Sequence, residues 1–128
     1  MATSEQRYQR GMQQMQKIDG DLGQRVMDAL ADISPDLGRY IVEFAFGDIY
    51  SRPGLDLKSR ELAALSALVT LGYATPQLKI HINGALNVGW SEQEIVETIM
   101  QLAGYAGFPA ALNATFTAAE VFAERRAA

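Results

Sequence analysis

The chain has 128 residues, 48% hydrophobic and 20% charged, and 11 Lys+Arg against 15 Asp+Glu leave a formal charge of −4. This balance belongs to a folded globular chain, and with no run of Lys and Arg it argues against a nucleic-acid partner. With no cysteine there can be no disulfide, thiolate zinc site, cysteine nucleophile or dithiol centre, and the single histidine, His81, excludes a multi-histidine metal site within one chain.

The length suits one domain, 1–128 with residues 1–20 as an N-terminal helical arm, or one subunit of an assembly. Met1 to Ile18 is polar and Gln-rich, unlike a secretion signal. The densest apolar stretch, Leu62 to Leu71, is too short to span a bilayer. A cytoplasmic protein without a membrane partner is therefore expected.

In chain order, the punctuation predicts an all-α domain of about six helices, with no alternating strand pattern. Ser4 to Lys17 carries Met12 and Met15 on one face and breaks at Gly20-Asp21. A short amphipathic stretch follows, with Leu22, Val26, Ala29 and Leu30. Ser34-Pro35 reads as a cap followed by proline, and Leu37, Tyr40, Ile41, Phe44 and Ile49 set a helical rhythm to about Tyr50. Arg52-Pro53-Gly54 ends it. Asp56 is placed to cap a helix from Leu57 to Leu71, with Gly72 as its left-handed terminator.

Thr75-Pro76 repeats the cap-and-proline signal and opens a helix to about Val88, stopped by Gly89. Ser91 and Glu94 have capping-box spacing ahead of Ile95, Ile99 and Leu102. Gly104 to Gly107 loosens the chain before Pro109 begins a last Ala-rich helix to about Arg126. Leu62 to Val69 and Ala106 to Ala119 are apolar or small on nearly every face, which predicts contact with further copies of the chain, the alternative being a buried central helix in a monomer.

Four side chains are candidates for chemistry. His81 has the only ordinary pKa near neutrality, and lies at the edge of the stripe Leu78, Ile82, Ala85 and Leu86. It faces a crevice or is a histidine bonded at a helix interface. Glu61, on a stripe with Leu57, Leu65 and Leu68, is a sheltered proton donor or acceptor, or a first-turn glutamate favoured by the helix dipole. Arg52 is a turn arginine or a bidentate partner for a carboxylate. Tyr105, like Tyr50, is a hydrogen-bond donor in an apolar setting or a structural tyrosine. Arg60 reads as a surface or ion-pair residue, Asn87 as a cap and Trp90 as packing. Gly104 and Gly107 lack phosphate-loop spacing and strand context.

Arg52-Pro53-Gly54-Leu55-Asp56 with Ser59-Arg60 resembles the middle of the carboxymuconolactone decarboxylase family. So do Leu78-Lys79-Ile80-His81, then Ala85, Asn87, Gly89, Glu94 to Glu97 and Gln101, and the block Tyr105 to Ala111. Phe44 to Tyr50 is similar to the family's upstream aromatic-Gly stretch. The match spans Tyr40 to Phe122, and the order and spacing of the pieces carry it.

The resemblance implies an all-helical subunit in a homo-oligomeric ring, a trimer or hexamer, with sites near subunit contacts. One branch of the family, alkylhydroperoxidase D-like, uses a Cys-x-x-Cys pair; those positions are Ala74 and Gln77 here, which excludes its thiol peroxidase chemistry. Glu61 and His81 match that branch's remaining proton-relay residues. The other branch decarboxylates 4-carboxymuconolactone in the β-ketoadipate pathway of aromatic catabolism, and carries the Arg-Pro-Gly-Leu-Asp motif found here. It often has Glu where this chain has Gln77.

The resemblance thus implies a lyase without cofactor or metal, acting on a small carboxylated substrate. Arg52 would hold the carboxylate, Tyr105 or a backbone amide the developing enolate, and His81 with Glu61 the proton. The alternative is a non-catalytic or small-ligand-binding member on the same scaffold. Convergence of Arg52, Glu61 and His81 in the assembled oligomer would separate the two.

Overall fold

A computed structural model describes residues 1–128 and contains seven helices and no strand, in agreement with the all-α expectation. The chain divides into two compact units, Met1–Leu57 and Lys58–Ala128. No helix is long and apolar enough to cross a membrane.

The first unit contains α1 (Ser4–Asp19), α2 (Asp21–Leu30) and α3 (Pro35–Tyr40), which continues as a π-helical run over Ile41–Ile49. Thr3 caps α1 through a reciprocal capping box with Gln6, which satisfies first-turn amides that the helix leaves open. Met15, Ile18, Val42 and Phe46 are its buried apolar side chains. Glycine lets α1 lie directly on the π run. A Cβ on Gly11 would sit 2.0 Å from the Val42 carbonyl oxygen, and one on Gly47 would sit 2.4 Å from that of Arg7.

Polar groups complete this contact. Arg7 grips Asp48 bidentately, Nε to Oδ1 at 2.9 Å and Nη2 to Oδ2 at 2.8 Å. Arg10 Nε donates to the Gly47 carbonyl at 2.7 Å, and Ser4 Oγ donates to the buried Glu43 at 2.6 Å. The hydrogen bond from Arg7 holds the Asp48 carboxyl below the usual aspartate range. A carboxyl lowered by folding stabilises the native state above its unfolded pKa, and that contribution is lost as pH falls through the folded value. Thermal melts of the wild type are therefore expected to lose more Tm than those of Asp48→Asn as pH drops below about 4. Parallel pH profiles of the two proteins would contradict this.

The second unit contains α4, which starts at the boundary (Leu57–Leu71), α5 (Thr75–Asn87), α6 (Glu92–Ala106) and α7 (Phe108–Ala127). Leu65 and Val69 of α4, Leu78, Ile82 and Ala85 of α5, Ile95 and Ile99 of α6 and Val121 and Phe122 of α7 belong to one buried cluster. The spacing within the α4, α5 and α6 sets is that of one helical face. Gly72 and Gly89 adopt positive φ of 80° and 109° and turn the chain after α4 and α5, as their positions predicted. The Ser91–Glu94 capping box forms in both directions.

Several local expectations are corrected. The helix expected from Pro35 to Tyr50 changes to i→i−5 bonding midway, as in the Tyr50 amide bond to Ala45. Its anticipated apolar stripe is largely outward: Leu37 is 50%, Tyr40 57% and Phe44 60% exposed. The wider coil turns Val42, Glu43, Phe46 and Gly47 inward instead. Ser34 holds the N-cap position of α3 without a side-chain cap bond, so proline's preset φ is the start signal there. The N-cap of α5 is Ala74, one residue before Thr75. Gly104 lies inside α6, which runs unbroken to Ala106.

Candidate functional site

The second unit brings two of the four candidates together. Glu61 lies one turn before Leu65 on the inward face of α4, and none of its surface is exposed. His81 lies beside the core stripe of α5, with 20% of its side chain exposed. Its Nδ1 is 2.6 Å from Glu61 Oε1. The first-turn, dipole-stabilised reading of Glu61 does not describe this geometry: the carboxylate turns inward onto an imidazole. Glu61 Oε2 is buried and accepts no hydrogen bond from the chain. Burying a carboxylate with one oxygen unbonded opposes folding, and an apolar side chain of similar volume would fit the α4 stripe at lower cost. Stability alone therefore does not account for this residue.

The other two candidates are exposed. Arg52 is an exposed residue of the turn after the π run, in the first unit, and its backbone amide bonds the Ile49 carbonyl. Tyr105, near the end of α6, is 83% exposed, so the apolar setting anticipated for it is not provided by the chain's own surroundings. Leu112 and Phe116 of α7 and Phe108 at its start are also exposed, at 53%, 63% and 81%. No three His, Asp or Glu side chains gather into a group able to hold a metal ion.

The geometry gives further roles to Trp90 and Asn87, read from the sequence as packing and a cap, and adds Lys58, Lys79, Asn83 and Arg125, which the sequence did not single out. Trp90 Nε1 donates to the Lys58 carbonyl at 2.7 Å, and Lys58 Nζ lies 4.4 Å from the centre of the indole ring. Lys79 bridges Glu124 at 2.7 Å and Glu120 at 3.4 Å, and the hydrogen bond to Glu124 raises its pKa further above neutrality. Arg125 donates to Asn83 at 3.1 Å and to Asn87 at 3.2 Å, so Asn87 ties α5 to α7 rather than only ending its helix. The spacing of Lys79, Asn83 and Asn87, each four residues apart on one polar face of α5, is the signal that could have suggested this seam.

These features define a class: an all-helical chain without thiols whose one histidine is paired with a buried glutamate between two helices. The carboxymuconolactone decarboxylase family model matches residues 35–120, and the chain belongs to that family. It is 34% identical over 119 residues to a 4-carboxymuconolactone decarboxylase of Acinetobacter baylyi, covering 92% of this chain and 88% of that protein. It is 33% identical over 121 residues to an uncharacterised 15.0 kDa protein of the nqo9-nqo10 intergenic region of Paracoccus denitrificans, covering 94% and 90%. A nitrosuccinic acid decarboxylase of Metarhizium robertsii is 39% identical over 74 residues, 58% of this chain and 51% of that protein.

Proposed function

We propose that this chain is a cofactor-independent carboxy-lyase acting on 4-carboxymuconolactone or a related small carboxylated lactone. The observation that carries the reading is the 2.6 Å pair of His81 and Glu61, a proton-handling couple in a chain with no thiol. Membership of the family, and two relatives named as decarboxylases of different acids, support the reaction class. The lactone itself is supported by the Acinetobacter baylyi relative, which matches 92% of this chain.

In the proposed reaction the C–C bond to the substrate carboxylate breaks and CO2 leaves. The electron pair passes into the conjugated lactone as an enolate, and carbon then takes up one proton. Arg52 holds the departing carboxylate through its guanidinium. Tyr105, or a backbone amide, donates to the enolate oxygen. With Nδ1 of His81 engaged by Glu61, proton delivery falls to Nε2, and the glutamate holds the ring in place for it.

The exposure of Phe108, Leu112 and Phe116, and of Leu37, Tyr40 and Phe44 in the first unit, supports a homo-oligomer, a trimer or hexamer, in which copies cover these faces. Tyr105 then acts in the surroundings that a neighbouring copy supplies. A cytoplasmic protein in aromatic-compound catabolism fits this chemistry.

The test is direct assay of purified, assembled protein, its mass checked by light scattering, with 4-carboxymuconolactone. Release of CO2 with loss of lactone absorbance is expected. Saturable binding without turnover would instead favour a ligand-binding member of the family, a reading to which Gln77, in place of a common Glu, lends its support.

A further inference from the structure

Trp90 connects the two helices that carry the histidine–glutamate pair. Its backbone N–H donates to the Ala85 carbonyl at 3.0 Å, on α5 one turn beyond His81. Its indole N–H donates to the Lys58 carbonyl at 2.7 Å, in the first turn of α4 one turn before Glu61. The Lys58 ammonium closes over the ring face at 4.4 Å, and Gly89, at φ 109°, makes the turn that delivers the indole there. One residue is thus bonded to α4 and to α5 within a turn of each partner of the pair.

Little else directs the glutamate from its own side: Oε2 accepts no bond from the chain, and Oε1 meets His81. The separation between imidazole and carboxylate therefore depends on how α4 and α5 are held relative to each other. We propose that Trp90 is a positioning residue whose indole N–H sets the distance between Glu61 and His81. This assignment rests on the pair being the proton-transfer couple of the function proposed above.

Trp90 is the only tryptophan in the chain, so growth of a tryptophan auxotroph on benzothienylalanine replaces that residue alone with an analogue of nearly the same shape carrying sulfur in place of N–H. This protein and Trp90→Phe test the same bond, and the analogue keeps the test available if the phenylalanine variant fails to fold. The expected result is a fall in kcat of about tenfold with KM nearly unchanged, because a small misplacement of a catalytic couple slows chemistry more than binding.

A second measurement does not need turnover. His81 is the only histidine, so its ring 15N resonances are assigned without ambiguity, and they are expected to move toward those of an imidazole released from a carboxylate. Wild-type ring resonances in the folded analogue protein would overturn the proposal, as would wild-type kcat in an active enzyme. Absence of activity in the wild type itself, with the ring resonances still moving, would reject the decarboxylase reading and leave the positioning role standing.

Discussion

His81→Gln is expected to lower the rate of decarboxylation by about 10²–10⁴-fold, the span that a positioned general acid contributes. Glutamine keeps an amide that can reach toward Glu61, so circular dichroism and oligomer mass should stay at wild-type values while activity falls. It has no group that can hand a proton to carbon near neutral pH. The loss should fall on kcat, because Arg52 and not His81 is assigned to the substrate carboxylate. The companion Glu61→Gln should cost less than the histidine change, since it alters the partner that orients the ring but leaves the imidazole. Wild-type turnover by folded His81→Gln would remove His81 from the mechanism.

Gly11→Ala is expected to destabilise the protein by about 3 kcal/mol or more, since the clash is with backbone and no side-chain rotation relieves it. The added carbon would lie 2.0 Å from the Val42 carbonyl oxygen, 2.9 Å from its carbon and 3.0 Å from the Gly47 nitrogen. To make room, α1 must lift from the π run, loosening the Arg7–Asp48, Ser4–Glu43 and Arg10–Gly47 bonds together. Gly104→Ala is the control. It sits within α6 with nothing near the added carbon, and is expected to be neutral or to stabilise by up to about 1 kcal/mol. Urea denaturation of the two variants measures the contrast, and equal midpoints would show that the α1 contact can relax.

The parts of this fold legible in the sequence are those fixed by local chemistry. Ser91 and Glu94 lie three residues apart and bond each other's backbone, so their role needed no knowledge of the rest of the chain. Gly72 and Gly89 followed from the helices they end, and the stripe of Leu78, Ile82 and Ala85 from helical spacing. What escaped was set by contacts between distant segments. Gly11 reads as an ordinary, slightly unfavourable helix residue until Val42 is opposite it. Arg7 and Asp48 carry no pattern that joins them across 41 positions. Trp90 looked like a packing residue because an indole's choice of backbone carbonyl leaves no trace in spacing.

The site was half legible in the same sense. Glu61 and His81 were each singled out by standing on or beside an apolar stripe, but only the family resemblance suggested that they act together, and their contact is 20 positions apart in sequence. The apolar excess of Ala106 to Ala119 was also visible beforehand, and it corresponds to the exposed Phe108, Leu112 and Phe116. Leu37, Tyr40 and Phe44 marked a helical segment correctly, but apolar spacing reveals neither which face the rest of the chain covers nor where the winding changes at Ile41.

That change of pattern makes the stretch Ile41–Ile49 sensitive to chain length more than to side-chain identity. Deleting a single residue between Glu43 and Asp48, with the winding otherwise kept, would rotate the rest of the run by close to one residue's turn, on the order of 100°. Glu43 and Asp48 would then stop facing Ser4 and Arg7 at the same time, although every codon for those four residues survived. Over evolutionary time this segment should therefore drift by replacement and resist gaps, a reading-frame of geometry laid over the genetic one.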